Sequence, residues 1–475
     1  MNKTIFYSNL LVALSLSCQN SYSISDLDLS INKHQQKFEQ VALQIWDIAE
    51  MGYQEYKSSS LLKEALSKEG FRIQDNVANI PTAFIAEYGS GFPVIAILGE
   101  FDALPGISQS ASPFKETYKD NIAGHACGHH LFGAGSAWAS VAIKEWLLNN
   151  KNTGTIRYYG TPAEEGGSGK VYLARGGLFD DVDIVLHWHP GSENHARPRT
   201  SNANKSAKFN FKGISAHAAQ APDKGRSALD GVESMNMMVN LMREHIPQDS
   251  RIHYVITKGG LAPNVIPDEA EVYYYVRHPK IKMVEELFKR VVKAAEGAAL
   301  GTETTMNFEV MHGNYSLMPN DTLQEIMHEK LSSRGGIRYS SKENEFANTI
   351  YETLLNPKGK IGDQEEILSY KPTHGYGSTD VGDVSWLVPT AGARISTWVP
   401  GTPAHSWQAV ASGGTTIGLK GTKLAVQVLS ETAKEIFLNP SIASKAKEEL
   451  EKRVGKDFNY MPLLGNRAPP LDYRN

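Results

Sequence analysis

Short apolar runs alternate with stretches of helical periodicity in the first part of the chain. Apolar residues recur at helical spacing over 34–51 and again over 131–148, where small side chains are frequent. Brief apolar runs that predict buried strands lie at 83–86, 94–98, 156–159 and 184–186. Because a sheet covered on both faces needs strands that are apolar throughout, this alternation predicts an α/β fold, with helices on both sides of a sheet.

The pattern changes near Ser206, where a strand with alternating burial is predicted. Four strands are predicted at 207–211, 251–257, 271–277 and 305–310, and two helices at 226–245 and 284–299. We therefore expect an inserted α+β domain at 206–313, which divides a larger domain into the parts 24–205 and 314–475. Two domains also agree with the length of 475 residues, since one hydrophobic core seldom organises so long a chain.

Residues 1–23 have the character of a secretory signal peptide. A basic residue at position 3 precedes an apolar stretch, and Ser21, Tyr22 and Ser23 offer a small-residue cleavage site. We expect export to the periplasm or another extracytoplasmic compartment. Cys18 leaves a second route open, in which this cysteine carries a lipid and anchors the protein to a membrane. The formal net charge of −4 and the lack of a basic patch in the sequence argue against nucleic acid as a partner.

Residues 124–130 concentrate potential metal ligands, because they contain one cysteine and three histidines. Gly128 allows the sharp turn that would bring Cys127 and His129 to one metal ion. Cys18 and Cys127 are the only cysteines of the sequence, and either form of processing removes Cys18 as a free thiol. An exported protein would then keep a single thiol without a disulfide partner. Metal coordination would protect that thiol.

Further candidates follow three predicted strands. They are Asp102 after the first of these strands, Glu164 and Glu165 after the second, and His187 and His189 at the end of the third. Of two adjacent carboxylates, one can ligate a metal while the other acts as a general base. Paired glutamates and strand-end histidines are usually structural, but the carboxyl ends of strands converge where open α/β sheets bind ligands. We therefore expect these groups to meet at one edge of the sheet.

Taken together, these segments resemble the co-catalytic metallopeptidase and amidohydrolase superfamily, which includes carboxypeptidase G, aminoacylases and auxin-conjugate hydrolases. Within it they look most like the branch of the aminobenzoyl-glutamate hydrolase B subunit. The matching segments are 101–108, 124–129, 161–173, 177–191, 213–229, 260–270, 378–386 and 405–408. The resemblance implies an α/β/α metallohydrolase catalytic domain built on a mixed sheet, with an inserted α+β dimerisation or lid domain. It also implies hydrolysis of the amide bond of an N-acyl or N-aroyl amino acid.

The resemblance also implies a site with two divalent metal ions, Mn²⁺ or Zn²⁺. It gives Cys127 the bridging position, and the implied terminal ligands are His129, Glu165, His187 and His405. His187 is preferred to His189 because the spacing of the family, His-x-x-Pro, is satisfied by His187 and Pro190. Glu164 takes the role of general base toward the attacking water.

Four more residues receive roles from the same resemblance. His217 looks like the histidine of the inserted domain that reaches the active site of the partner in a dimer, where it stabilises the oxyanion. Asn264 is similar to a hydrogen-bond donor to substrate, and Arg277 to a clamp for a substrate carboxylate, although a structural arginine is equally typical there. Asp102 is expected to orient a ligand, because the His-x-Asp motif of the peptidase branch is Glu100-Phe101-Asp102 in this sequence.

Three alternatives stay open from the sequence. The substrate could belong to other N-acyl amino acids or dipeptides, so that the enzyme would be an aminoacylase or a dipeptidase. Cys127 could act as a nucleophile with His129 or His125 as base. The chain could also be a binding protein that keeps the fold without catalysis. A homodimer is expected, and the resemblance leaves room for a second, homologous subunit.

Overall fold

The computed structural model describes residues 25–118 and 122–474. The predicted signal peptide and Cys18 lie outside the described residues. Within those two ranges, no helix combines the length and the apolar character that crossing a bilayer requires.

Thirteen α-helices and fourteen strands follow one another along the described ranges. The helices are α1 (Asp26–Ile48), α2 (Tyr56–Lys68), α3 (His129–Asn149), α4 (Glu164–Gly167), α5 (Gly169–Arg175), α6 (Ala228–Met242), α7 (Ile281–Gly301), α8 (Asp321–Arg334), α9 (Ser341–Glu352), α10 (Val381–Ser385), α11 (Trp407–Gly413), α12 (Thr416–Leu438) and α13 (Ser441–Val454). The strands are β1 (Arg72–Asp75), β2 (Phe84–Ser90), β3 (Val94–Gly99), β4 (Leu104–Pro105), β5 (Ala123–Gly124), β6 (Gly154–Gly160), β7 (Ile184–Gly191), β8 (Arg199–Ser201), β9 (Ala203–Lys212), β10 (Arg251–Lys258), β11 (Glu269–His278), β12 (Thr305–Asn314), β13 (Thr373–Gly375) and β14 (Thr390–Ser396).

The larger sheet has six strands in the order β1-β2-β6-β3-β7-β14. β1, β2 and β6 pair antiparallel, whereas β6, β3, β7 and β14 run parallel, so the sheet is mixed as the sequence predicts. Helix α3 packs against β3, β6 and β7 and is covered in turn by α1 and α12. It is buried along nearly its whole length, which explains its apolar, small-residue sequence. The four parallel strands end at the same edge, and the candidate residues follow these ends.

A second sheet, with the order β10-β11-β9-β12, is antiparallel throughout. Helices α6 and α7 pack on it, and Phe209, Val272 and Val291 belong to a hydrophobic cluster separate from the core around the larger sheet. The four strands and two helices match the elements expected for the insert. They run from Ala203 to Asn314, whereas the predicted boundaries are 206 and 313. A role of this unit in dimerisation stays a prediction.

The residues that follow α12 form one more helix and then contact other parts of the protein. Helix α12 packs against the larger sheet, and a further helix, α13, follows it. Residues beyond α13 then reach the loop between α1 and α2, where Gln54 donates a side-chain hydrogen bond to the carbonyl oxygen of Leu471 at 2.7 Å. The last described residues therefore lie beside the loops that carry the candidate site.

Candidate metal centre

The loop before α3 turns at Gly128, whose φ of 74° lies in the left-handed region that favours glycine. A Cβ atom at this position would lie 2.6 Å from Cβ of Pro190. The missing side chain therefore serves two purposes: it permits the turn, and it lets the loop approach the end of β7. Cys127 and His129 are held on either side of that turn, as the spacing in the sequence predicts.

Two groups of metal-binding atoms share the thiol of Cys127. The first consists of Cys127, His129 and His189, and the second of Cys127, Glu165 and His405. Within each group the ligand atoms lie within 4.8 Å of one another. Sulfur, nitrogen and oxygen donors at this spacing are suited to a transition-metal ion, and one shared thiolate suits a pair of ions.

His129 is oriented by carboxylates on both sides of its ring. Nδ1 donates to Asp102 Oδ1 at 2.8 Å, and Nε2 lies 3.0 Å from Glu100 Oε2. Asp102 also accepts a 2.9 Å hydrogen bond from the main-chain nitrogen of Glu165, so one carboxylate links both groups. A carboxylate behind a ligating imidazole fixes its tautomer and raises its basicity. The structure thus puts Asp102 in an orienting position.

The structure separates the two histidines of β7 by their distance from Cys127, and His189 is the one grouped with it. His189 Nε2 lies 3.7 Å from Cys127 Sγ, while His189 Nδ1 donates to the carbonyl oxygen of Pro190 at 2.7 Å. His187 belongs to neither group that contains Cys127; its ring lies against β14 at Gly392, where an added Cβ would come within 2.2 Å of Nε2. His187 is one pleat further from the end of the strand, so it cannot replace His189 at the loop of Cys127.

The turn that carries the two glutamates has an unusual backbone. Ala163 and Ser168 have φ values of 57° and 59°, and Gly166 has 91°. Such conformations are sparsely populated and cluster at functional sites. Glu164 is partly buried and lines the cavity at the strand ends. Burial raises the pKa of Glu164 well above its usual value, and the charges of Glu100 and Glu165 add to this effect.

His405 approaches the same turn from the opposite side. Its main-chain nitrogen donates to the carbonyl oxygen of Ala126 at 3.0 Å, and its Nε2 lies 3.1 Å from Glu165 Oε1. Hydrogen bonding to Cys127 and Glu165 raises the pKa of His405 to about 10. The backbone at His405 also has a positive φ, 59°, immediately before α11. Cys127 and Glu165 therefore favour a positive charge in the space that they share with His405.

A network of buried charged side chains lies beside the two groups of ligand atoms. No sequence pattern predicts it. Lys170 Nζ lies 2.6 Å from Glu100 Oε1 and 2.8 Å from Asp380 Oδ1, and all three side chains are buried. Burial would lower the pKa of Lys170, but the two carboxylates raise it above the usual value. Glu100 joins the network to His129, and it could have been suspected because it directly follows β3.

Three buried polar atoms at the centre form no well-oriented hydrogen bond with any described residue. They are Glu100 Oε2, His129 Nε2 and Glu165 Oε1, although each lies close to a group of opposite charge. Buried polar groups are nearly always satisfied, so such atoms converging on one place indicate a site for a cation. The donor set fits two divalent ions, with Cys127 between them.

The remaining sequence-predicted residues divide into two sets. Arg277 lines a cavity of about 480 Å³ that also contacts Glu164 and Cys127. Its Nε atom is buried without a partner among the described residues, and the guanidinium carbon lies 5.2 Å from the ring centre of Tyr275. His217 and Asn264 are exposed on the second unit and are not brought to this cavity within one chain. They lie together there, since Ala218 donates its main-chain hydrogen to the carbonyl oxygen of Asn264.

Comparison with known proteins agrees with this geometry. Residues 96–354, more than half of the chain, match the family described as peptidase family M20/M25/M40. The chain belongs to peptidase family M20/M25/M40. It is therefore a hydrolase, and the candidate ligands before residue 354 fall within the matched region.

Three similar proteins show how far the likeness extends. The B subunit of p-aminobenzoyl-glutamate hydrolase from Escherichia coli (strain K12) is 40% identical over 472 residues, which cover 93% of this chain and 98% of that protein. The Xaa-Arg dipeptidase of Mus musculus is 27% identical over 430 residues, 87% of this chain and 88% of that protein. A dinuclear metal binding peptidase of the M20 family from Bacillus subtilis shares the fold, with a TM-score of 0.56 and 18% identity over 84% of this chain and 99% of its own.

Proposed function

We propose that this M20 hydrolase is a dinuclear metal-dependent amidohydrolase that cleaves the amide bond of an N-acyl or N-aroyl amino acid. The observation that carries the proposal is that Cys127 belongs to two groups of ligand atoms at once. The 40% identity to one subunit of a p-aminobenzoyl-glutamate hydrolase makes p-aminobenzoyl-glutamate the first substrate to test.

Five side chains would hold the two ions. Cys127 would bridge them, His129 and His189 would complete one site, and Glu165 and His405 the other. Thiolate and imidazole donors favour Zn²⁺, whereas the carboxylate also suits Mn²⁺. Two divalent ions, when bound, polarise an amide carbonyl and lower the pKa of water.

Glu164 is the proposed proton carrier. It is the glutamate of the pair that no group containing Cys127 uses, and it lines the cavity beside these groups, where a positioned carboxylate can exchange protons with water and substrate. It takes a proton from water as the oxygen adds to the carbonyl carbon. The carbon–nitrogen bond then breaks, and Glu164 transfers the proton to the leaving amine.

The proposal is tested by Glu164→Gln in the metal-loaded protein. We expect kcat to fall by about 10²- to 10⁴-fold, the usual contribution of a positioned acid–base group, while the metal content stays at two ions. Glu448→Gln, which changes an exposed helix glutamate, is the matched control and should keep full activity. Turnover that survives either Glu164→Gln or the complete removal of metal by a chelator would rule out this mechanism.

A dipeptidase is the second candidate, because the similarity to an Xaa-Arg dipeptidase also extends over most of the chain. A panel of aroyl amino acids and dipeptides, assayed with the same metal, separates the two activities. Failure to cleave any member of the panel, with two ions bound, would favour a binding protein with this fold.

Two further features of the protein are proposed from the sequence. The exposed His217 and Asn264 would complete the site of a partner subunit in a homodimer, and the similarity to one subunit of a hydrolase leaves room for a homologous second chain. Mixing Glu164→Gln with His217→Ala subunits should then restore part of the activity that each lacks. Export through the 1–23 segment would be checked by fractionation, and Cys18→Ala distinguishes a lipid anchor from simple cleavage.

A further inference from the structure

Three arginines form one wall of the cavity at the metal centre. Arg197 follows β7, Arg199 begins β8, and Arg394 lies on β14 beside His189. All three line the same cavity as Cys127 and Glu164, and all three also line an adjoining cavity. We call Arg197, Arg199 and Arg394 the arginine wall; it stands where the two cavities meet.

The three arginines of the wall are partly buried, yet they have few counter-charges around them. Within the described ranges, the only carboxylate within 4.0 Å is that of Glu193, 3.9 Å from Arg197. Arg199 makes no side-chain hydrogen bond or ion pair with any described residue. The one hydrogen bond of the Arg394 side chain to a described residue is long, 3.4 Å to the carbonyl oxygen of Pro190. Burial and the charges of Arg394 and Arg197 lower the pKa of Arg199 to about 10.

Lys170, in contrast, is paired with carboxylates, so the lack of partners is particular to the arginine wall. The same region surrounds the buried ammonium group of Lys170 with two carboxylates at 2.6 and 2.8 Å. Withdrawing a cation even partly from water without a partner is unfavourable, and guanidinium groups pair most strongly with carboxylates in a bidentate geometry. The arginine wall therefore has the character of a site whose anion arrives with a ligand.

We propose that the arginine wall is a second anion subsite, which receives the side-chain carboxylate of a dicarboxylic amino acid while Arg277 receives its α-carboxylate. This inference rests on the proposed function and adds the residues that select the amino acid. Arg277 belongs to β11 of the second unit, so the two carboxylates would be held from different walls of the cavity. An amino acid with a cationic side chain would meet the charges of the arginine wall and be rejected.

The test compares two substrates that differ in one charge, p-aminobenzoyl-glutamate and p-aminobenzoyl-glutamine. We expect kcat/KM of the wild-type enzyme to favour the glutamate amide by about 10- to 100-fold, the range for charge-assisted hydrogen bonds. In Arg199→Gln the ratio of kcat/KM for the glutamate amide to kcat/KM for the glutamine amide should fall close to one, mainly because KM for the glutamate amide rises. Arg199→Lys should keep part of the preference, because it keeps the charge without the bidentate geometry.

Arg338→Gln is the matched control, since the side chain of Arg338 is 89% exposed and is not among the described residues that line the cavity. Its ratio should equal that of the wild type. A wild-type ratio near one, or a ratio unchanged in Arg199→Gln, would overturn the proposal. Both substrates are assayed with the same preparation, so the fraction of folded enzyme cancels in the ratio. A variant that folds poorly therefore still gives a valid result.

Calorimetric binding of free L-glutamate and L-glutamine to the metal-loaded protein gives a readout that needs no turnover. The wild type should bind glutamate more tightly by a similar factor, and Arg199→Gln should not. If neither amide is cleaved, the proposed function fails, while the binding ratio still decides the inference about the arginine wall.

Discussion

The hydroxyl group of Tyr473 donates a 3.0 Å hydrogen bond to the main-chain carbonyl oxygen of Glu165. Arg474 Nη2 donates to the same oxygen at 2.5 Å. The ring of Tyr473 meets that of Tyr53 edge-on at 5.6 Å, and a Cβ atom at Gly52 would lie 2.3 Å from the Tyr473 hydroxyl oxygen. The end of the described chain is thus built into the turn that carries both candidate glutamates.

Tyr473→Phe should loosen this turn while leaving the ring contacts in place. One neutral hydrogen bond contributes about 1 kcal/mol, so we expect metal retention against a competing chelator to weaken about fivefold. The double variant with Tyr473→Phe and Arg474→Ala should retain metal still more weakly. Tyr56→Phe is the control, because Tyr56 is 52% exposed and its hydroxyl group forms no hydrogen bond with any described residue. Unchanged metal retention in the double variant would show that the carbonyl contact has no part in holding the site.

His189→Ala and His187→Ala should separate a ligand from a neighbour on the same strand. Because loss of a group that only orients a ligand costs about 10- to 100-fold in metal affinity, loss of His189 should cost at least that much. His187→Ala should keep both ions and alter substrate affinity, since the ring lines the cavity. Metal analysis after dialysis measures the difference. The reverse result, with metal lost only from His187→Ala, would restore the assignment made from the sequence.

Metal removal should expose the thiol of Cys127. A thiolate that bridges two ions cannot react with an alkylating reagent, so modification of Cys127 should be slow in the loaded protein and faster after chelation. Peptide mass spectrometry measures the rate for Cys127 itself. Adding Zn²⁺ or Mn²⁺ back before the reagent should restore protection. If alkylation abolishes activity while chelators do not, Cys127 is a nucleophile and the metal proposal is wrong.

Much of the fold could be predicted because local patterns carry it. The strands β3, β6 and β7 and the helix α3 follow from apolar runs and helical spacing, since burial on both faces of a sheet requires such runs. The four strands and two helices of the second unit follow for the same reason. The expected convergence of Asp102, Glu165 and the β7 histidines also holds, because parallel strands end at one edge.

The candidate site could be predicted only in part. Cys127, His129, Glu165 and His405 are expected from the resemblance, and the structure brings them together. The sequence favours His187, whereas the structure groups His189 with Cys127; both histidines of β7 point the same way, and only the distance to the neighbouring loop separates them. No sequence pattern indicates that Lys170 is buried, since a lysine after a glycine-rich turn is ordinarily a surface residue.

The sequence by itself determined the class of fold, the order of the elements and the loop in which a thiol and an imidazole can share an ion. Those properties depend on periodicity and on short spacings, which a chain carries locally. The tertiary structure alone decided that His189 is the histidine beside Cys127, that three arginines share one wall, and that Tyr473 holds the turn at Glu165. Each of these depends on which strands are neighbours and in what register, and contacts between residues far apart in the chain leave no local pattern.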